Sequence, residues 1–272
     1  MKHLRCLLII FSLILGGTSA GIAQDFYKGV EAAQAGDFET ALREWLPLAE
    51  QGNANAQNNL GWMYKNGKGV PEDAAEAVKW YRLAAQQGNE NAQSNLGGMY
   101  DRGNGVPKDA AEAVKWYRLA AQQGNANAQL FLGVMYAFGE GVPKDAAEAV
   151  KWYRLAAQQG NVVAQVNLGV MYNVGNDVPK DAAEAVKWYL LAAQQGDAKA
   201  QSNLGAIYQF GEGVLQSNAM AHMWYNIASA NGHDKAGKWR DERADKMTSA
   251  DISKAQAMAR ECMGSDYKNC GW

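Results

Sequence analysis

Cysteine is scarce in this 272-residue chain. Cys6 precedes an apolar run near the start, which leaves only Cys262 and Cys270 in the rest. That rules out a disulfide-dense mini-scaffold. Histidine is equally rare, and neither His222 nor His233 stands at a zinc-motif spacing from the two cysteines. Neither a cofactor nor a metal is expected. Beyond Leu7–Leu15 there is no long apolar run, and that one is too short to span a bilayer comfortably. No alternating strand pattern appears anywhere. There is no H-E-x-x-H, no nucleophile elbow, no P-loop, and no G-x-G-x-x-G opening a helix after a strand. Excess positive charge is also missing: 26 basic against 28 acidic residues give −2, which argues against nucleic acid or an anionic lipid surface as partner.

What is present is repetition. Gly52–Gln87 returns with edits at Gly88–Gln123, Gly124–Gln159, Gly160–Gln195 and Gly196–Asn231. Trp80, Trp116, Trp152, Trp188 and Trp224 keep the period, and so do Tyr64, Tyr100, Tyr136, Tyr172 and Tyr208. A fixed period of this length signals stacked supersecondary units rather than a globular catalytic domain. Within one unit, Ala56, Leu60, Met63 and Tyr64 share a helical face. Gly67, Gly69 and Pro71 then break the helix. Asp73 and Glu76 have the spacing of a capping box. A second helix follows, with Ala77, Trp80, Tyr81, Ala84 and Ala85 inward, Lys79, Arg82 and Gln86 toward water, and Gly88 as terminator. Gly61, Gly97, Gly133, Gly169 and Gly205 lie inside the first helices. Each costs about 1 kcal/mol of helix propensity, so the recurrence predicts close approach of a neighbouring helix.

The L-G-x-M/I-Y stretch, the glycine loop and the D-A-A-E-A-V-K-W-Y-x-L-A-A-x-x-G helix together resemble the Sel1-like repeat, a relative of the tetratricopeptide repeat. The resemblance covers Gly52–Asn231 and implies an all-α fold, a right-handed α-solenoid of helix–loop–helix units. Four segments are expected. Residues 1–23 form a signal peptide: Lys2 and Arg5, the apolar run, then small residues at Thr18-Ser19-Ala20 or Gly21-Ile22-Ala23. Residues 24–51 form a tetratricopeptide-like capping hairpin, with its signature in Ala35–Leu42. Residues 52–231 are the five repeats, the last one diverging at Leu215 and Asn218–His222. Residues 232–272 form a C-terminal helical cap. Loss of Lys2 and Arg5 leaves 24 basic against 28 acidic residues, or −4. The location is then periplasmic or secreted, with no membrane insertion after signal cleavage. In an oxidising compartment Cys262 and Cys270 are expected to pair as a disulfide.

The second helices are near-copies: Pro107–Gln123 and Pro143–Gln159 are identical. Editing concentrates on the first helices, opposite their core face, which the resemblance assigns to the concave surface. There the middle units carry apolar residues: Leu130, Phe131, Val134, Ala137 and Phe138, then Val163, Val166, Val170 and Val174. The outer units read polar at Asn58, Asn59, Lys65, Ser94, Asn95, Asp101, Arg102, Ser202, Asn203 and Gln209. An apolar patch with a polar rim marks a partner site. The expected groove therefore has Phe131, Val134, Phe138, Val166, Val170 and Val174 at its centre, with Asn167, Asn173, Asp101 and Arg102 around it. The alternative is that some of these residues pack between successive units. The functional expectation is an exported scaffold or adaptor that binds a protein or peptide. The resemblance places such proteins in envelope assembly, signalling or host contact. Two other classes stay open. One is a β-lactam- or peptidoglycan-acting enzyme; cysteine-rich members described that way carry a cysteine pair in each repeat, and this chain has none there. The other is a glycan-binding module using Trp62 or other exposed aromatics.

Overall fold

A computed structural model describes residues 25–175, 177–268 and 270. The expected signal segment, 1–23, lies outside them. The described residues form fourteen α-helices and no strand. An opening pair, α1 (Phe26–Gln34) and α2 (Phe38–Glu50), precedes the five repeats. These are α3 (Ala54–Asn66) with α4 (Ala74–Gln86), α5 (Glu90–Arg102) with α6 (Ala110–Gln122), and α7 (Ala126–Phe138) with α8 (Ala146–Gln158). Then come α9 (Val162–Val174) with α10 (Ala182–Ala193), and α11 (Ala198–Phe210) with α12 (Asn218–Ala230). The closing helices are α13 (Ala236–Ala244) and α14 (Ser249–Gly264). Each helix from α1 to α12 packs on the next, and α13 and α14 both pack on α12, giving an all-α solenoid.

Local chemistry sets the helix ends. Asn53, Asn89, Asn125, Asn161 and Asp197 cap the first helices, and Asp73, Asp109, Asp145, Asp181 and Ser217 cap the second. The second helices end in Schellman turns. At Gly88 (φ +90°) the Asn89 N–H donates to the Ala84 carbonyl at 3.1 Å, and the Gly88 N–H to Ala85 at 3.0 Å. The capping box is only half made. Asp73 accepts from the Glu76 N–H at 2.9 Å, but its own N–H donates to the Tyr64 carbonyl. Glu76 instead pairs with Lys79. Its counterparts also accept from the recurring indoles: Trp116 donates to Glu112 at 3.0 Å, Trp152 to Glu148 at 2.9 Å and Trp188 to Glu184 at 2.8 Å.

The helical glycines answer a steric need within each unit. A Cβ at Gly133 would lie 2.6 Å from the Tyr153 ring, and the same clash recurs at Gly61, Gly97, Gly169 and Gly205. The tyrosine ring of the second helix lies flat on the first helix at these points. Two polar ladders then join the units. Buried Gln57, Gln93, Gln129, Gln165 and Gln201 each donate to a carbonyl at the end of the preceding unit, as Gln93 does to Ala85 at 3.1 Å. Each also accepts from the last residue of its own unit, as Gln93 does from Gln123 at 2.7 Å. Arg82 does not point to water. It donates to the Tyr100 hydroxyl of the next unit at 2.8 Å, and Arg118 and Arg154 do the same to Tyr136 and Tyr172. Half-buried phenols make better partners for the guanidinium than bulk water at this seam.

The two ends close the stack differently. In α2, Trp45 stands where the repeats place tyrosine; its indole donates to the Phe26 carbonyl at 3.0 Å and covers Gly29. Glu44 is buried, paired with Lys28 at 2.8 Å. The hydrogen bond from Lys28, then the Asp25 N–H, hold its carboxyl below the usual range. At the other end α14 returns onto α12, and the Cys262–Cys270 disulfide is buried in the cluster around Trp224 and Leu204. The disulfide loop carries Tyr267, whose hydroxyl donates to Asn231 at 2.9 Å; Asn231 donates in turn to Gln201. The glutamine ladder thus ends on a phenol held by the disulfide loop.

The inner face of the repeat stack

The first helices lie side by side, α5 directly against α7, and so form one face of the solenoid. Their C-terminal residues occupy one repeat position: Asn66, Arg102, Phe138, Val174 and Phe210. All five are exposed. The last three make an apolar row, with Phe138 72%, Val174 52% and Phe210 66% exposed. At the polar end, burial and then the neighbouring Arg102 guanidinium lower the pKa of Lys65.

Between the third and fourth units this face opens into a cavity of about 190 Å³. Ala137 and Phe138 of α7 form one wall, Asn167, Val170 and Met171 of α9 the other, with Tyr153 and Asp177 completing it. Four of the five units carry asparagine at the position of Asn167 (Asn59, Asn95, Asn167 and Asn203), and Phe131 is the departure. In the preceding gap Phe131 stacks on Tyr117, with centroids 5.3 Å apart and planes 23° from parallel. In this gap the matching residue is Asn167, a smaller side chain beside Tyr153. Burial pushes the Tyr153 hydroxyl up to about 12, while its hydrogen bond with Asn167 pulls the other way. The hydroxyl is a neutral donor at any physiological pH. Asp177 also holds Lys144, at 2.8 Å, on the rim.

The expected groove residues therefore divide. Phe138, Val170 and Val174 are exposed on the first-helix face, and Asn167 lines its cavity. Phe131, Val134 and Val166 are half-buried and packed into core clusters between units. This is the packing that the alternative describes: Phe131 stacks on Tyr117 of the preceding unit, and Val134 and Val166 pack against core clusters. Leu130 is buried outright. Arg102 is exposed and Asp101 half-buried, a gap away from the cavity. The Asn173 Oδ1 is buried and takes no hydrogen bond among the described residues, so that atom is out of a partner's reach. The apolar-centre, polar-ends pattern also needs correction, since Trp62 in the first unit and Phe210 in the last are both exposed. Phe210 was legible as the next step of the 36-residue row. Tyr153 and Asp177 were not, because their approach depends on how two units meet.

A second exposed apolar row, Leu83, Leu119, Leu155 and Leu191, runs along the second helices, but it does not vary from unit to unit. Among the described residues no three His, Cys, Asp or Glu side chains gather as a metal site, and no helix is long and apolar enough to cross a membrane.

A family model for the Sel1 repeat matches residues 54–89, 91–125, 126–161, 162–197 and 198–233. Among solved structures, the chain is similar to a Sel1 repeat protein from Oxalobacter formigenes. That pair is 37% identical over 88% of this chain and all of the other, with a TM-score of 0.74. It is also similar to c5321, described as a protective antigen present in uropathogenic Escherichia coli strains displaying an SLR fold. There the identity is 33% and the TM-score 0.75, over 89% of this chain and 57% of that one. No curated protein matches the chain.

Proposed function

We propose, from the premise that this chain belongs to the Sel1 repeat family, that it is an exported scaffold whose inner face holds a protein or peptide partner. The family's fold is generally one for protein interaction, and its members are typically non-enzymatic. The finer reading is ours. Its central observation is the exposed row Phe138, Val174 and Phe210 beside the cavity between α7 and α9. These positions contribute little to holding the units together, yet they depart from the polar template of the first two repeats. Exposed apolar side chains in register, next to a pocket with a few polar groups, suit an apolar stretch of a partner. Asn167, Asp177 and the Tyr153 hydroxyl offer polar contacts to such a segment.

Export rests on the charged, apolar and small-residue order of residues 1–23, together with the Cys262–Cys270 bond. Amino-terminal sequencing of chain taken from the cell envelope checks it. A start at Gly21 or Gln24 supports the reading, and an intact Met1 contradicts it.

The groove is tested by replacing Phe138, Val174 and Phe210 with serine in one chain. The variant should keep its denaturation midpoint and lose a partner captured by the parent chain. Undiminished capture removes this row from the interface.

A further inference from the structure

The first unit carries a different kind of cavity. A cleft of about 540 Å³ opens between α1, the start of α2 and the inner side of α3 and α5, within the roughly 300–1,000 Å³ span of ligand sites. Its composition is unusual for this surface. Five asparagines line it (Asn55, Asn58, Asn59, Asn89 and Asn91), together with Gln34 and the rings of Phe26, Phe38, Trp45 and Trp62, and no charged side chain does.

Trp62 is 40% exposed. Behind it lies Phe38, with centroids 5.9 Å apart, and Lys68 sits over the Phe38 ring. Trp62 is therefore the aromatic surface open to a ligand, fixed by the ring behind it. The amides are partly organised already. Asn89 donates to Asn55 at 2.8 Å, Asn125 to Asn91 at 3.1 Å and Asn58 to Asn59 at 3.4 Å. Each of these bonds engages the carbonyl oxygen of Asn55, Asn91 or Asn59 and fixes which way that amide faces. The Nδ2 groups of Asn55 and Asn59 and the side chain of Gln34 have no hydrogen bond among the described residues.

The chemistry narrows the ligand. An anion would need arginine or lysine in the lining and a cation would need carboxylates, and the cleft has neither. A wholly apolar partner would bury the free Nδ2 groups of Asn55 and Asn59 and the Gln34 amide without partners, which is unfavourable. What suits a flat aromatic face rimmed by groups that both donate and accept is a ring with one C–H face and hydroxyls around its edge. We propose that this cleft binds a neutral oligosaccharide, with Trp62 as its stacking platform and the free Asn55, Asn59 and Gln34 amide groups reading its hydroxyls. The site is separate from the apolar row of the later units and does not depend on it.

The test is calorimetric titration of the purified full chain with neutral tetrasaccharides of glucose, galactose and N-acetylglucosamine, each beside a uronate or sulfated counterpart. A peptide of alternating leucine and serine is the competing probe. Saturable binding of at least one neutral saccharide is expected, with the charged counterparts no tighter. Trp62→Ala should weaken it at least tenfold, and Trp62→Phe should restore most of the loss. Asn59→Ala, tested independently, should weaken it severalfold without shifting the denaturation midpoint. The proposal fails if no neutral saccharide binds up to about 10 mM, if Trp62→Ala binds as the parent does, or if only the peptide or a charged sugar binds there.

Discussion

The two halves of the first-helix face differ in surface and agree in frame. In the half that carries Asn66 and Arg102, buried Gln93 donates to Ala85 at 3.1 Å; in the half that carries Val174 and Phe210, buried Gln201 donates to Ala193 at 3.1 Å. A tyrosine ring covers the glycine of the first helix in both halves. Yet the last position of the first helix is Asn66 and Arg102 in the first two units and Phe138, Val174 and Phe210 in the last three. Thirteen residues per first helix carry both assignments at once. The positions that hold units together are copied, and those that face outward are edited. Recognition can diverge along the stack because nearest-neighbour packing does not read the outer positions.

This separation makes its strongest prediction at the frame. Trp152, almost wholly buried and bonded to Glu148, should cost about 3–5 kcal/mol when replaced by alanine. Phe138→Ser, on the same unit's outer surface, should stay within about 0.5 kcal/mol. Urea denaturation of both variants reads the contrast, and equal midpoints would erase it. Next in size is the C-terminal closure. Replacing Cys262 and Cys270 with serine should cost about 2–3 kcal/mol from the short loop's closure entropy. The loss of protection in hydrogen exchange should be confined to α12–α14, since Tyr267 would release the end of the glutamine ladder. Uniform loss across all repeats would contradict nearest-neighbour coupling.

Phe131 sharpens the boundary between frame and surface. Its stacking on Tyr117 predicts a loss of about 1–3 kcal/mol for Phe131→Ser, against almost none for Phe138→Ser. A Phe131 variant as stable as the parent would return that residue to the binding face. The smallest effect is a pH dependence in the last unit. His222 is buried where the other units place Val78, Val114, Val150 and Val186. Burial first, then Arg240, with Asp241 opposing, hold its pKa below the ordinary value. The unfolded chain binds that proton more readily, so stability should fall as pH drops below about 6.5 and be flat above it. Urea midpoints across that range check the slope, and His222→Val should abolish it.

Much of the fold was legible because period and helical phase are properties of the chain alone. Gly52–Asn231 announced the units, and Ala56, Leu60 and Met63 announced their core. The ladders were not legible. Gln57 sits beside an apolar stripe and reads as surface until the preceding helix places the Ala49 carbonyl 2.9 Å away. Arg82 reads as solvated for the same reason. The groove was half legible. Helical phase puts Phe131 and Phe138 on the non-core side together, but only the neighbour's Tyr117 decides that one of them is covered. The cavity beside Tyr153 is likewise lined from two units, and becomes visible only when α7 and α9 are stacked.

Partner contact should follow the edited face and not the copied one. Photo-crosslinkers installed singly at Phe138, Val174, Phe210 and Leu155, in chain exported to its native compartment, test it most directly. The same crosslinked partner is expected from positions 138, 174 and 210, and none from position 155 on the second-helix row. Crosslinking from position 155 alone, or equally from all four, would contradict it.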